Sequence, residues 1–247
     1  MNEIKTQAIV IDALDYKDAD KKLALFSCEY GLIWATIKGV KKPKAKLAGC
    51  SQPFCFAEFL LNKKGDFYTV INASVIDSFF EVISDFDKYI IGVSMLEFCK
   101  KTIKENDSSL DLFVLLLKAL KQLGYSQANP MAVLIRFLLD GFGYIGYKLK
   151  TTSCACCGSD TYLSYGFNYS YDYGGIVCKK CSSSVENFML EPSEQGVIKN
   201  IALADINKIE SLKFSSRDAL VSVIKLLSRQ FRLYTGEELK TLSKYLD

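Results

Sequence analysis

Leu23-Ala-Leu-Phe-Ser-Cys28 and Leu32-Ile-Trp-Ala-Thr-Ile-Lys-Gly39 are two short runs of apolar, β-branched and aromatic residues separated around Gly31. Such runs suit pleated strands, and a glycine between them suits a turn. Working outward, Thr6 to Ala13, Phe54 to Leu61 and Phe67 to Ile76 have the same character, with Lys41 to Gly49 and Asn62 to Asp66 as punctuation. Five short strands within residues 1–80 predict a small closed barrel of the OB type.

Beyond about Phe79 the apolar period lengthens. Ile83, Phe86, Ile90, Val93 and Leu96, then Leu112, Leu115, Leu116, Ala119 and Leu123, recur at helical steps. Asp107 or Ser108 is placed to cap the second helix and Gly124 to end it, while Asn129 followed by Pro130 opens a third reaching about Asp140. Pro192 opens a later helix. Leu220, Ile224, Leu227, Phe231 and Tyr234 give the last one, about Ser215 to Tyr234, a core-facing stripe. The expected architecture is α+β and multidomain. A barrel spans 1–80, helical parts at 81–150 and 189–247 pack as one domain, and a cysteine module at 151–188 is inserted between them.

Cys154, Cys157, Cys178 and Cys181 form two C-x2-C pairs twenty residues apart, the spacing at which four thiolates close around one ion. One structural zinc per chain is expected. Gly158 helps the chain turn around the metal, and four protein ligands leave no position for a substrate. Cys156, between the first pair, either replaces a neighbour or is a spare thiol; the two-residue spacing favours Cys157.

The remaining cysteines, Cys28, Cys50, Cys55 and Cys99, sit singly in apolar surroundings, as small buried hydrophobes do in a reducing compartment. No run of about 18 apolar residues occurs, and Met1 to Val10 lacks the pattern of a signal peptide, so a cytoplasmic, membrane-free protein is expected. The chain contains no histidine, which removes histidine triads, histidine-ligated zinc hydrolase motifs and the deaminase signature.

A net charge of +3 is too mild to argue for a polyanionic partner, but its distribution is uneven. Lys38, Lys41, Lys42, Lys44 and Lys46 place five cations in nine residues without an acid, on the loop leaving the third strand. Loops of such barrels bind single strands, and Trp34 is the candidate for base stacking; the plain alternative is a solvated basic loop. A second basic stripe, Lys225, Arg229 and Arg232 with Arg217 two turns earlier, runs along the last helix as solvated surface or as a site for nucleic acid or an acidic peptide. Tyr165, Phe167, Tyr169, Tyr171 and Tyr173 alternate with small polar residues, so an extended segment puts five rings on one face. They either stack bases or pack against helices. Gly141, Gly143 and Gly146 match a dinucleotide fingerprint in letters only, since a helix precedes them.

Thr6-Gln-Ala-Ile-Val-Ile, Leu25-Phe-Ser-Cys-Glu-Tyr-Gly31 and Ala35-Thr-Ile-Lys-Gly39 before the lysines, then Phe137-Leu-Leu-Asp-Gly-Phe-Gly-Tyr, Cys154-Ala-Cys-Cys157-Gly158 and Gly174-Gly-Ile-Val-Cys178-Lys-Lys-Cys181, resemble the RecO family over essentially the whole chain. The resemblance implies a recombination mediator in DNA repair, with no turnover of a small substrate. It implies binding and annealing of single- and double-stranded DNA without sequence specificity. It further implies action with RecR, and contact with the acidic tail of the single-stranded-DNA-binding protein so that RecA loads. The five lysines match the family's basic region, and a bacterial, nucleoid-associated location follows. Two departures stand out: every cation before Phe80 is lysine, so phosphate contacts are point charges rather than bidentate, and Cys156 is an extra thiol. A zinc-dependent or nucleotide-using enzyme and an adaptor that never touches DNA are the rival readings.

Overall fold

The computed structural model describes residues 2–105, 107–160 and 166–246. It divides into two compact units, Met1–Leu120 and Lys121–Asp247.

In the first unit, β1 (Asn2–Tyr16), β2 (Asp20–Ser27), β3 (Gly31–Ile37), β4 (Phe56–Lys64) and β5 (Phe67–Asp77) close into an OB-like barrel in the order β1-β2-β3-β5-β4. Period-two alternation explains the closure. Val10, Leu23, Leu25, Ile33, Ile37, Phe59 and Leu61 fill the interior from four strands. The long β1 serves two neighbours, pairing early residues with β4 and later ones with β2, and a bulge between Val10 and Asp12 bends it from one to the other. β3 meets β5 only in a short parallel pairing, Ala35 with Tyr68 and Thr36 with Thr69. The chain leaving β3 is therefore outside the ladder, and this is where the lysines lie.

Phe26 and Phe56 are buried without belonging to the interior cluster. They sit on the outer wall, under helices. α1 (Phe80–Ile83) leads into α2 (Phe86–Thr102), which packs on β1 and β2. Phe113 of α3 (Leu110–Tyr125) sets its ring edge-on at 5.3 Å from Phe26 and 6.1 Å from Phe56. Burying each such ring contributes roughly 1.5–3 kcal/mol. The compact units thus part after Leu120, because an apolar barrel wall holds the first long helices to it.

The second unit packs α4 (Pro130–Tyr144), α5 (Pro192–Leu203) and α6 (Arg217–Thr235) against one another, with α7 (Lys240–Leu246) on α6. Local signals set their ends. Asn129 Oδ1 accepts from the Met131 N–H at 3.0 Å, Glu191 and Glu194 form a capping box, and Ser216 Oγ accepts from the Ala219 N–H. α4 passes the expected end at Asp140, since Gly141 and Gly143 stay helical. Leu220, Ile224, Leu227 and Phe231 of α6 are buried as their spacing predicts. A small sheet in the order β7 (Gly175–Cys178), β6 (Phe167–Ser170), β8 (Phe188–Met189) carries the cysteine turns. Among the described residues no helix is long and apolar enough to cross a membrane.

Candidate functional site

The two C-x2-C segments become two tight turns. The Gly158 N–H donates to the Cys154 carbonyl at 2.9 Å with Gly158 at φ +73°, and the Cys181 N–H donates to the Cys178 carbonyl at 3.0 Å. A left-handed residue there is a glycine's task. The turns face each other because the Ala155 N–H donates to Ile176 of β7 at 2.8 Å and the Cys178 N–H points at Cys154 Sγ at 3.4 Å. The sulfurs of Cys154, Cys157, Cys178 and Cys181 all lie within 4.8 Å of one another, close enough to hold a metal ion. A tetrahedral ion with thiolates at about 2.3 Å needs sulfurs about 3.8 Å apart. Cys157 and Cys178 are 3.9 Å apart. Cys156 is outside this group.

The protons on these sulfurs are unevenly held. The Ser159 hydroxyl, 3.1 Å from Cys157 Sγ, and the Ser159 backbone N–H bring the Cys157 thiol down to about 6. The Cys181 backbone N–H lowers Cys178. Cys181 is driven upward by the neighbouring Cys157 and Cys178 sulfurs. The four sulfurs thus differ in how readily each gives up its proton, which thiolate ligation of a metal asks of all of them.

The lysine loop is held differently. The Asp20 carboxylate accepts from the Gly39 N–H at 2.8 Å, the Lys41 N–H donates to the Ala19 carbonyl at 3.0 Å, and Lys41 Nζ pairs with Asp15 at 2.7 Å. That ammonium lowers the Asp15 carboxyl below its ordinary value, chiefly by hydrogen bonding. These contacts lay the loop against the tip of the β1–β2 hairpin. Lys38, Lys42, Lys44 and Lys46 are exposed and, among the described residues, have no ion-pair partner. The hairpin adds Lys17, Lys21 and Lys22, which the sequence reading missed; only the pairing of Lys21 with Ile37 brings them beside Lys38. Trp34 lies half-buried on the outer wall, with Lys22 Nζ at 5.2 Å and Lys100 Nζ at 5.7 Å from its ring centre. Its ring is already faced by two ammonium groups.

The second stripe and the aromatic run fare unequally. Phe167 and Tyr169 are buried, Tyr171 is half-buried and Tyr173 is exposed, because β6 ends at Ser170 and the chain turns; Tyr165 lies outside the described residues. The four described rings do not form one face. Lys225, Arg229 and Arg232 are exposed on α6, Arg229 stands 4.5 Å over the Tyr171 ring, and Arg217 lies 3.5 Å from the Tyr245 hydroxyl.

Comparison with known proteins agrees with this layout. The family model described as "Recombination protein O N terminal" matches residues 1–79 and that described as "Recombination protein O C terminal" matches 83–243. The chain is 30% identical over 247 residues to the DNA repair protein RecO of Acetivibrio thermocellus, covering 100% of this chain and 96% of that one. It is 26% identical over 249 residues to that of Desulforamulus reducens, covering 100% and 95%, and 30% identical over 246 residues to that of Caldicellulosiruptor saccharolyticus, covering 98% and 97%. Barrel, helical unit and four-sulfur centre thus define a DNA repair protein. More particularly, the chain belongs to the RecO family.

Proposed function

We propose that this chain is a DNA-binding recombination mediator and strand-annealing protein without catalytic turnover. It acts in the cytoplasm, on the nucleoid, with RecR and with the acidic tail of the single-stranded-DNA-binding protein, so that RecA loads. The observation that carries this reading is the loop of unpaired lysines on the barrel, Lys38, Lys42, Lys44 and Lys46 with Lys41 beside them. Phosphates take these point charges, which read no sequence but hold either single or double strands. Trp34 receives a base when a phosphate draws the Lys22 ammonium off its ring.

The metal in this reading is one zinc per chain, bound by Cys154, Cys157, Cys178 and Cys181. A four-thiolate donor set suits zinc, and closed ligation keeps the ion structural. Its task is to tie the two turns of the second unit together.

Gel shifts with a single-stranded oligonucleotide test the reading. Changing all five loop lysines to alanine weakens binding at least ten-fold; unchanged affinity sinks the site assignment. Strand annealing with and without the single-stranded-DNA-binding protein tests the partner, and nucleotide hydrolysis by the pure protein would revive an enzyme.

A further inference from the structure

The second unit carries a cleft that the barrel-centred reading does not use. Tyr171, in the turn just after β6, stacks on Phe188 of β8 with centroids 5.1 Å apart and planes 28° from parallel. The Arg229 guanidinium of α6 lies 4.5 Å from the Tyr171 ring centre. Gln230 fixes this assembly: buried on α6, it accepts from the Tyr169 hydroxyl at 3.0 Å and donates to the Tyr171 carbonyl at 3.2 Å. Two cavities, about 350 Å³ and about 300 Å³, share Tyr171, Phe188 and Arg229 in their walls. Asp172 and Glu186 line the first; Glu194 and Lys225 line the second.

The chemistry of the walls selects an occupant. Flat aromatic and guanidinium surfaces fit a planar ring, and stacking on them tolerates any base. Lys225 and Arg229, four residues apart on one helix face, have no ion-pair partner among the described residues, so both are available to phosphate. The carboxylates beside them accept from the amino groups of cytosine or adenine, donors that an acidic peptide's side chains lack. We infer that the two clefts sharing the Tyr171–Phe188 pair are a stacking site for bases of single-stranded nucleic acid, with Lys225 and Arg229 on the phosphates and Asp172 on a base amino group. The inference rests on the single-strand binding proposed above and adds a second contact point to it.

Ultraviolet cross-linking of the metal-loaded full chain to oligodeoxycytidylate, with mass mapping, tests it. Cross-links are expected on the peptides holding Tyr171 and Phe188. Arg229→Lys keeps the charge and loses the planar surface, so affinity falls about ten-fold while the salt dependence stays the same. Asp172→Asn, at an exposed position, removes a preference for oligodeoxycytidylate over oligothymidylate. Cross-links confined to the barrel loop, with Arg229→Lys silent, overturn this site and leave the proposed function standing. Capture of an acidic peptide at Arg229 with no oligonucleotide cross-link there also overturns it. A wild-type chain that binds no oligonucleotide overturns both.

Discussion

The lysine loop of the first unit and the cysteine turns of the second are both irregular segments pinned by backbone hydrogen bonds, yet they arrange their side chains in opposite senses. Four sulfurs converge to within 4.8 Å, whereas four unpaired ammonium groups spread along an exposed loop. Ligand chemistry explains the contrast. A metal ion is one small charge that several thiolates must share, so the fold brings them to a point. A nucleic acid is a line of separated charges, so like charges gain nothing by meeting. On the proposed reading, the converging set holds the fold and the spread set meets a partner.

The largest effect that tests this contrast is removal of the metal. Cys178→Ser or a chelator is expected to lower the melting temperature of the second unit sharply and leave the barrel transition in place, since structural zinc sites in peptides contribute roughly 10–16 kcal/mol of apparent binding free energy. Calorimetry with metal analysis reads this out, and Cys156→Ser keeps one metal per chain. A chelated chain with an unchanged transition would erase the distinction.

Next is the salt dependence of oligonucleotide binding. Each lost phosphate contact should reduce the log-log slope by about 0.7, so changing all five lysines flattens it by up to about 3.5. A flatter slope with an unchanged melting temperature places these charges on the partner side of the contrast.

A smaller effect is expected from Gly175→Ala. A Cβ there would stand 2.3 Å from the backbone oxygen of Lys150, which β7 meets through the Ile176 N–H. Pushing these segments apart should cost about 1–3 kcal/mol and weaken metal affinity with it, as a competition titration would show.

Smallest is the tether of the loop. Asp15 has its folded pKa lowered by Lys41, so the pair is intact at neutral pH and is lost only as pH falls through that depressed value. Asp15→Asn releases the Lys41 charge and should raise oligonucleotide affinity about two-fold at low salt, in keeping with the small worth of exposed pairs. Lower affinity would mean that holding the loop matters more than its charge.

Much of this was legible in residue order. The alternation from Thr6 to Ile76 marked the barrel strands, Asn129-Pro130 and Pro192 marked helix starts, and the cysteine spacing marked the four sulfurs that come close enough to hold a metal ion. What escaped were neighbours remote in sequence. Lys22 and Lys100 both face Trp34, and no pattern along the chain relates residues on β2, β3 and α2. The aromatic alternation overreached for the converse reason: period-two spacing makes one face only while the chain stays extended, and β6 stops at Ser170.

The sequence by itself determined the kinds of element and the donor set, because strand alternation, helix caps and paired cysteines act over a few residues. Only the tertiary structure decided which charges stand free. The Lys41 ammonium is paired because the loop folds back on Asp15, Trp34 is faced by lysines because β2 and α2 flank it, and Arg229 meets Tyr171 because Gln230 holds β6 against α6. Electrostatic partners are set by distance in space, which residue order does not specify until the chain has closed.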